Sequence, residues 1–515
     1  MSPDRIDTEY EVGQDNVEVF GLDIHNPVFA ISGLLIIAFV LITLMFQESA
    51  GAAFNELRPW LTKTFDWLFM GAANIFVLFC FLLIVLPLGK VRIGGKDAVP
   101  EYSYTGWFAM LFAAGMGIGL MFFGVLEPVY HTLNPPLGVD PNNIEAARSI
   151  GMSATIFHWG LHPWAIYAVV GLSLAYFCYN AHLPLTIRSA FYPLLGEKVW
   201  GWWGHIIDIL AVFATLFGLA TSLGFGAEQA TAGLNYLFDI PNGDATKVIL
   251  IIAITGVALM SVLAGLDAGV KRLSEINMLL ALVLLVFVVA VGPTMVIVKG
   301  FFTGLADYVV TVPQLSNWVG REDLGYMHGW TTFYWAWWIA WSPFVGMFIA
   351  RVSKGRTVRE FVTCVLIIPT LACVAWMAVF GGTAVEEYVA NGYMGVAETV
   401  KAWTPELSLF KMLEVLPLSG ITSFIGIVLV IVFFVTSSDS GSLVIDTITA
   451  GGKIDAPVAQ RVFWCTFEGL VAITLLLGGG LGSLQALAIA TGFPFAIILL
   501  GMCVCLFMAL RKADR

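Results

Sequence analysis

Four tryptophans in one short stretch are the first residues of this sequence that point to a specific chemistry. They occur within seven residues of an otherwise apolar segment, just before a Ser342-Pro343 pair. A membrane helix needs only one or two such rings at each interface, whereas these lie near the middle of their segment. Indole faces attract cations, including those with no proton to donate. One wall of a site for such a cation is therefore predicted at Trp335, Trp337, Trp338 and Trp341.

A second group of rings predicts the facing wall. At about 100° per residue, Trp159, Trp164 and Tyr167 share one face of a helix. Two such faces could enclose a quaternary ammonium, at roughly 0.5–2 kcal/mol per ring. For any single tryptophan the alternative is an interfacial belt or ordinary packing. Seven aromatic residues at the depth of a helix break favour the site.

Polar backbone and hydroxyl groups could complete this site. Gly115 and Gly119 form a GxxxG pattern, which by itself indicates close helix packing. With Gly117 they also lower helix propensity by about 1 kcal/mol each, and an unwound segment would free carbonyl groups for a cation and N–H groups for a carboxylate. Thr436 and Ser437 could supply oxygen ligands to a small cation, although such hydroxyls usually bond their own backbone.

Other candidate chemistry is excluded or set aside. His158 and His162 have an i,i+4 spacing that can bind zinc, but no third ligand is evident. Asp439 is expected at the cytoplasmic approach to its helix, outside the site. The seven cysteines show neither a disulfide framework nor metal-ligand spacing. Without a GxxxxGK[ST] motif the chain has no phosphate loop, so an ion gradient or a partner must supply energy for any transport.

The composition is that of a multi-spanning membrane protein. Of the 515 residues, 59% are hydrophobic and only 12% are charged. The net charge of −11 excludes nucleic acid as a partner. Twelve apolar runs are long enough to cross about 30 Å of hydrocarbon. They lie at 28–46, 63–88, 104–124, 151–178, 205–236, 247–265, 276–298, 328–350, 360–381, 420–446, 459–478 and 482–510.

The distribution of basic residues predicts the orientation. Of the 25 lysines and arginines, 17 fall in the predicted cytoplasmic segments and 8 in the outer loops. Both termini are therefore expected in the cytoplasm. Residues 1–27 lack the basic start and apolar core of a signal peptide and are predicted as a cytoplasmic tail. The outer segments 299–327 and 382–419 are predicted to lie on the membrane as short helices.

Two interrupted spans predict an internal repeat. Span 3 contains the glycine run 115–119, and span 8 contains a break at 341–344 followed by Gly346. The interruptions are five spans apart, which predicts two five-helix units, spans 3–7 and 8–12, of opposite topology. The fold class is therefore an all-α membrane protein of twelve spans. The predicted parts are a tail at 1–27, two peripheral helices at 28–100, repeats at 101–325 and 326–510, and a short cytoplasmic end at 511–515.

Several motifs together resemble the betaine/choline/carnitine transporter family (BCCT). They are the glycine run followed by Glu127-Pro128, FHWGLHPW at 157–164, the tryptophan-rich stretch 335–361 and FFVTSSDSGS at 433–442. The resemblance extends over essentially all twelve spans. It implies a leucine-transporter-like fold with inverted repeats, usually a homotrimer in the lipid membrane, and a substrate with a quaternary ammonium or sulfonium head.

The resemblance also implies roles for individual residues. By this resemblance, the family's aromatic box is expected at Trp159, Trp164, Tyr167 and Trp338. Trp337 and Trp341 are expected to line the path of the substrate. Choline-type members of the family have a motif similar to GMGID, whose acid complements a cation without a carboxylate. This chain has Gly119 at the position of that acid. A zwitterion, whose carboxylate meets freed N–H groups, is therefore expected rather than choline. The residues expected to bind the substrate through the protein backbone are Met116, Gly117 and Gly119.

For the coupling ion, the resemblance implies a sodium site of backbone and hydroxyl oxygens. Its members are Ala113, Met116, Phe433, Thr436 and Ser437. Span 5 carries no arginine or lysine in place of the ion, so sodium symport is expected rather than exchange. A second sodium site near Thr215 and Phe344 is doubtful, because Leu219 stands where the family has a threonine.

The expected function is sodium-coupled import of glycine betaine across the inner membrane of a bacterium, with no cofactor besides Na⁺. The alternative substrates within the family are dimethylsulfoniopropionate, carnitine and choline. A channel or receptor with a quaternary-amine pocket is an alternative of another class. An enzyme acting on choline-like lipids is disfavoured, because no box residue can serve as base or nucleophile.

Overall fold

The computed structural model describes residues 5–264 and 270–513, and helices dominate it. They are α1 (Val28–Met45), α2 (Gln47–Val85), α3 (Tyr104–Gly115), α4 (Ile118–Leu133), α5 (Ile144–Trp159), α6 (Leu161–Ala175), α7 (Tyr192–Leu195), α8 (Trp202–Phe238), α9 (Asp244–Ala264), α10 (Val270–Val291), α11 (Thr294–Ser316), α12 (Leu324–Tyr326), α13 (Thr332–Val352), α14 (Val358–Trp376), α15 (Gly382–Asn391), α16 (Gly395–Ala402), α17 (Ser408–Leu413), α18 (Ser419–Thr449), α19 (Val458–Leu477) and α20 (Leu481–Ala513). The predicted all-α membrane class is confirmed.

Within the described residues, eleven helical stretches are long and apolar enough to cross a membrane, if α5 with α6 and α14 with α15 are each counted as one, and the bent pair α3 and α4 makes a twelfth span. This number agrees with the predicted twelve, but two members differ. Helix α11 is among the eleven, although it was predicted as a short outer helix, whereas the tryptophan-rich α13 is not. Predicted span 7 ends at Val291, because Gly292 and Pro293 separate α10 from α11. The other outer segment, 382–419, does form the short helices α15, α16 and α17.

Span 3 is broken where its glycines predict a break. Helix α3 ends at Gly115, helix α4 begins at Ile118, and their axes meet at 65°. Met116 and Gly117 between them are extended, with φ of −91° and −178°. The carbonyl end of one helix and the N–H end of the next therefore meet in the interior of the protein.

The predicted break in span 8 is wrong. Helix α13 runs without interruption through Pro343. Proline has no N–H to give to the carbonyl group four residues earlier, here that of Ile339. The Ser342 hydroxyl donates to that carbonyl oxygen at 2.6 Å and satisfies it. Gly346 instead allows a close helix approach, since a Cβ there would lie 2.6 Å from Val170 Cγ1.

Span 4 has a break that was not predicted. Helices α5 and α6 are separated at Gly160, whose φ and ψ are −99° and −127°. Pro163 cannot donate to the Trp159 carbonyl, and the neighbouring residues carry no hydroxyl that could replace the missing N–H. A side chain at residue 160 would also place its Cβ 2.7 Å from the Ile156 oxygen. Trp159 therefore lies on a different helix from Trp164 and Tyr167.

The order of elements agrees with two similar units. Spans 4 and 9 each contain a π-helical turn, at Tyr176–Asn180 and at Met377–Gly381. Each is followed by short helices before the next long helix, which has 37 residues in α8 and 31 in α18. Helices α9 and α19, with 21 and 20 residues, come next. The domain boundaries at 101–325 and 326–510 stay predictions.

The N-terminal segment packs as a small hairpin, which the sequence did not predict. Strands β1 (Asn16–Val19) and β2 (Leu22–His25) pair antiparallel. Asn16 Nδ2 donates to the Ala450 oxygen at 2.9 Å, and the Asp23 N–H donates to Gln460 Oε1 at 2.6 Å. The hairpin therefore holds the loop between α18 and α19. At the other end of the chain, residues 511–513 continue α20, and 514–515 lie outside the described residues.

Candidate functional site

A central cavity of about 1180 Å³ lies between the break in span 3 and helices α6, α13 and α18. It brings together nearly all the residues that the sequence singled out. The predicted substrate and sodium residues that line it are Trp159, Trp164, Tyr167, Trp337, Trp338, Trp341, Ala113, Met116, Gly117, Gly119, Phe344, Phe433, Thr436 and Ser437. Thr215 is not among the lining residues. These residues come from both predicted repeats, although they are far apart in the chain.

Four rings form a box of edge-to-face contacts. The ring centroids of Trp159 and Trp338 are 4.9 Å apart at an interplanar angle of 69°. Trp164 and Tyr167 are 5.1 Å apart at 74°, and Tyr167 and Trp338 are 6.4 Å apart at 72°. All four rings line the same cavity, and none of these three pairs is stacked face to face, so ring faces remain for a ligand. This is the geometry in which several π faces can surround one cation.

The remaining tryptophans of α13 occupy different positions. Trp337 stacks on Trp338 at 4.5 Å, and its ring also packs against Phe225 at 5.3 Å. Trp341 is partly exposed and contacts Phe344 edge-on at 5.0 Å, toward the opening of the cavity. Trp335 is not among the cavity-lining residues: it is fully buried and stacks on His162 at 5.2 Å. It was predicted as part of the wall and instead belongs to the packing behind it.

Hydrogen bonds fix two box rings from behind. Trp338 Nε1 donates to the His158 carbonyl oxygen at 2.9 Å. Trp159 Nε1 donates to Glu127 Oε2 at 2.7 Å, and the Tyr334 hydroxyl donates to the same oxygen at 2.7 Å. From the sequence, Glu127 was only part of a family motif and had no predicted role. The available signal was an acid directly after the apolar span 104–124, which is costly inside a membrane protein unless it is paired.

Two glycines of the run pack tightly against box rings, and the third adjoins open space. A Cβ at Gly119 would lie 2.7 Å from Cη2 of Trp159, and one at Gly115 would lie 3.3 Å from Cζ2 of Trp164. At Gly117 nothing lies within 4 Å of an added Cβ. Free space therefore adjoins the N-terminal end of α4, where N–H groups and the helix dipole favour a carboxylate.

Three of the predicted sodium residues, Phe433, Thr436 and Ser437, line the cavity from α18, and Ala113 and Met116 line it from the end of α3 and the break. Thr436 Oγ1 donates to the carbonyl oxygens of Val432 at 3.0 Å and Phe433 at 3.3 Å, as threonines in membrane helices commonly do. Its oxygen lone pairs remain available. Hydroxyl oxygens and the carbonyl end of a broken helix are the groups that hold Na⁺ in transporters of this architecture. The residues present therefore fit a sodium ion.

The residues expected at the second sodium site lie in different surroundings. Thr215 is buried, and its hydroxyl donates to the Ala211 carbonyl oxygen at 2.7 Å. Leu219 packs against α18, where a Cβ at Gly441 would lie 2.3 Å from Leu219 Cδ1. Phe344 lines the cavity instead, beside Trp341. The Leu219 side chain offers no oxygen to an ion, and the second sodium site stays a prediction.

His158, His162 and Asp439 have surroundings that differ from the predicted ones. His162 turns away to Asn74, whose Oδ1 is 3.0 Å from its Nε2. His158 instead joins Glu127 and His131, and one ligand atom from each lies within 4.8 Å of the others. Asp439 is not among the cavity-lining residues, but it is buried rather than at an approach, because α18 continues to Thr449. Its carboxylate accepts from Arg461 Nη2 at 2.6 Å and from Ser261 Oγ at 2.7 Å.

The cavity reaches the surface at one end of the bundle. Its lining there includes the exposed side chains of Tyr102, Arg351 and Ile454 and the half-buried Tyr179. The N-terminal segment packs at the same end, where Tyr10 stacks on Trp200 at 4.2 Å and the hairpin contacts the loop before α19. The cavity is therefore open on the side that carries the N-terminus.

A bundle of membrane-crossing helices around a central cavity, with a broken helix at its centre, is the architecture of a secondary transporter. Residues 27–515 match the betaine/carnitine/choline family transporter family, BCCT, and the chain belongs to that family. It is a multi-pass membrane transporter of bacterial type and not an enzyme.

Several bacterial transporters are similar to this chain over nearly its whole length. A glycine betaine/proline/choline transporter of Vibrio parahaemolyticus is 60% identical over 529 residues, covering 99% of this chain and 95% of that protein. Glycine betaine transporter 1 of the same organism is 55% identical, with 98% and 97% covered. A glycine betaine transporter of Acinetobacter baylyi is 44% identical, with 94% and 73% covered.

Proposed function

We propose that this transporter is a sodium-coupled symporter that imports glycine betaine. The observation that carries the proposal is the box of Trp159, Trp164, Tyr167 and Trp338 beside the break in span 3. A trimethylammonium group donates no hydrogen bond, so the ring faces of the box suit it better than polar groups do.

The carboxylate of the substrate is assigned to the N-terminal end of α4. Free space next to Gly117 lets a short carboxylate reach the N–H groups there. Glycine betaine has its two charges one methylene apart, which matches a box directly beside a helix end. The names of the three relatives above all include glycine betaine, which supports this substrate.

Choline is the second candidate, because one of these relatives is named for choline as well. Choline has no carboxylate and would leave the N-terminal end of α4 without a partner. Dimethylsulfoniopropionate and carnitine also fit the box by their onium heads, but they place the carboxylate farther away. A direct comparison of these four compounds therefore measures the contribution of the helix end.

Sodium is proposed as the coupling ion. Helix α8 contains no lysine or arginine that could replace it, and five predicted ligand residues line one cavity. A single sodium site is proposed, because Leu219 removes an oxygen from the second.

With the termini in the cytoplasm of a bacterium, as the basic residues predict, the cavity opens inward. The chain is then an inner-membrane protein in its inward-facing conformation. A homotrimer surrounded by lipid is proposed for the assembly, on the family resemblance alone.

The test is uptake of radiolabelled glycine betaine by proteoliposomes. Saturable, concentrative uptake that stops when potassium replaces external sodium supports the symporter. Uptake that only equilibrates the label would indicate a channel, and sodium-independent exchange for internal betaine would exclude sodium coupling. Competition by unlabelled choline, carnitine and dimethylsulfoniopropionate ranks the substrates. Recovery of chemically altered betaine would favour an enzyme.

A further inference from the structure

Glu127 is a buried carboxylate at the back of the aromatic box. Its side chain is fully buried in α4. Oε2 accepts from Trp159 Nε1 at 2.7 Å and from the Tyr334 hydroxyl at 2.7 Å. Oε1 is in contact with His158 Nδ1 and lies 3.3 Å from His131 Nε2. Four groups thus surround one carboxylate, and one of them is a ring of the box.

The donors around Glu127 stabilise it as an anion. The outer nitrogen of His158, Nε2, lies 2.9 Å from Thr331 Oγ1, whose hydroxyl can donate to it. The outer nitrogen of His131, Nδ1, is buried and has no hydrogen-bond partner among the described residues. The Thr331 hydroxyl can also accept, so Nε2 of His158 has a partner in either tautomer, whereas a proton on Nδ1 of His131 would have no acceptor among the described residues. The Trp159 N–H can only donate and the Tyr334 hydroxyl donates to the same oxygen, so these contacts stabilise the ionised form of Glu127.

We propose that Glu127 is the counter-charge of the substrate's onium group and acts through the Trp159 indole. It does not line the cavity, so it is a positioning residue and not a ligand. An indole that donates its N–H to a carboxylate carries more negative charge on its ring, and the low dielectric of the interior lets the carboxylate attract a cation beyond the ring. Glu127 thus determines the preference for a cation over a neutral group of the same shape.

The location explains why the charge is held behind a ring. A carboxylate inside the cavity would also repel the carboxylate of a zwitterion and would attract any small cation. When the Glu127 carboxylate lies behind Trp159, hydrogen bonds satisfy its lone pairs. The electric field of this carboxylate then reaches the cavity through the side of the box. The inference rests on the proposed function only in that the substrate has an onium head.

The test compares two ligands of equal shape. Glycine betaine and 3,3-dimethylbutanoate differ only in nitrogen against carbon at the branched centre, so the ratio of their dissociation constants measures the effect of the positive charge. Binding to the purified transporter is followed by tryptophan fluorescence in sodium buffer. We expect Glu127→Gln to lower the preference for betaine about tenfold, the size of one cation–π contact, and to leave dimethylbutanoate binding nearly unchanged.

Two variants control for effects on packing. Tyr334→Phe removes a donor to the same carboxylate oxygen but leaves the charge, and it should keep the ratio of the wild type. Glu468→Gln makes the same substitution at another buried acidic residue, which is 2.9 Å from the Ser438 hydroxyl and is not among the residues that line the cavity, and it should also keep the ratio. If Glu127→Gln does not fold, Trp159→Phe, which removes the indole N–H, should lower the ratio instead.

Each outcome decides a separate question. Equal weakening of both ligands by Glu127→Gln would show a structural role and overturn the inference, while betaine binding by the wild type would still support the proposed function. An unchanged ratio would also overturn it. If the wild type binds no onium compound more tightly than its carbon analogue, the proposed function itself fails, and the role of Glu127 falls with it.

Discussion

At the scale of single residues, Trp338 occupies the central position in the box. Its ring meets Trp159 edge-on and stacks on Trp337, and its N–H is already bonded to the His158 carbonyl oxygen. The ring therefore has no polar group left for the substrate. What it offers to a ligand is its π face, so its contribution to affinity should depend on the positive charge of that ligand.

Replacing Trp338 by alanine is expected to weaken glycine betaine binding about tenfold, because one cation–π face and its contact area are lost. Trp341→Ala, at the opening of the cavity, is the matched control and should change the affinity much less. Both are measured by sodium-dependent quenching of tryptophan fluorescence. An affinity of Trp338→Ala within twofold of the wild type would show that the box is assigned incorrectly.

Gly119 and Gly117 provide a second pair of variants that test the site at the scale of single residues. Gly119→Ala should weaken betaine binding, because its Cβ would lie 2.7 Å from Trp159 Cη2 and push this ring into the box. Gly117→Ala displaces no box ring but adds a methyl group in the free space proposed for the carboxylate, so it should weaken betaine binding less than Gly119→Ala does. The readout is the concentration of betaine at half-maximal uptake. The reverse order of the two variants would argue against this packing of the box.

For the ion, Thr436→Ala combined with Ser437→Ala should raise the sodium concentration needed for half-maximal uptake about tenfold or more, since two of the expected oxygen ligands are lost. Ser442→Ala, farther along α18, is the control, because its hydroxyl bonds the Asp439 carbonyl oxygen outside the cavity. Uptake is measured against sodium at fixed betaine. Unchanged sodium dependence in the double variant would place the ion elsewhere.

At the scale of elements, three interruptions show what a sequence can tell about helix breaks. The break at Gly115–Gly119 was predictable, because three glycines weaken the helix from within. At Pro343 the predicted break is absent, since Ser342 satisfies the carbonyl group that the proline leaves free. Pro163 has no such neighbour, and the helix is broken at Gly160. Proline alone thus does not decide the outcome; the hydrogen bonds available nearby do.

The same reasoning predicts an effect of Ser342 on stability. Ser342→Ala would leave the buried Ile339 carbonyl group without a donor, so it should lower the free energy of unfolding by about 1–3 kcal/mol. Ser173→Ala is the matched control, because the hydroxyl of this buried serine has no hydrogen-bond partner within the described residues. Melting temperatures of the purified variants in detergent measure the difference. Equal melting temperatures would mean that the bond does not support α13.

Residue types in the sequence predicted the rings of the candidate site but not the contacts behind them. Three of the four box rings stood out because tryptophan is rare in the middle of a membrane helix. Their partner Glu127 did not, because the bond to Trp159 joins residues 32 positions apart on different helices. Trp335 was predicted as wall and lies behind it, since periodicity gives a face of the helix but not which neighbour covers it. Only the packing of the whole bundle provides these facts.

At the scale of the whole molecule, an aromatic layer closes the cavity on the side opposite its opening. Phe123 is at its centre, with ring centroids 5.2 Å from Phe225, 5.4 Å from Tyr334 and 6.1 Å from Trp330. A transporter must open this side while it closes the other. Because the layer packs directly on Trp337 and Trp159, occupation of the box and the state of the layer are mechanically connected.

This connection predicts that substrate protects the open side of the cavity. In a Cys373→Ala background, which removes a cysteine that lines the cavity, Ser440→Cys should react with a membrane-impermeant maleimide in inside-out vesicles. Betaine together with sodium should slow this reaction severalfold, because the loaded transporter closes around its substrate, whereas either alone should have a weaker effect. Asp97→Cys, exposed on a loop that does not line the cavity, should react at the same rate throughout. If betaine and sodium leave the rate at Ser440→Cys unchanged, or if it reacts only in right-side-out vesicles, the cavity described here is not the cytoplasmic path of the substrate.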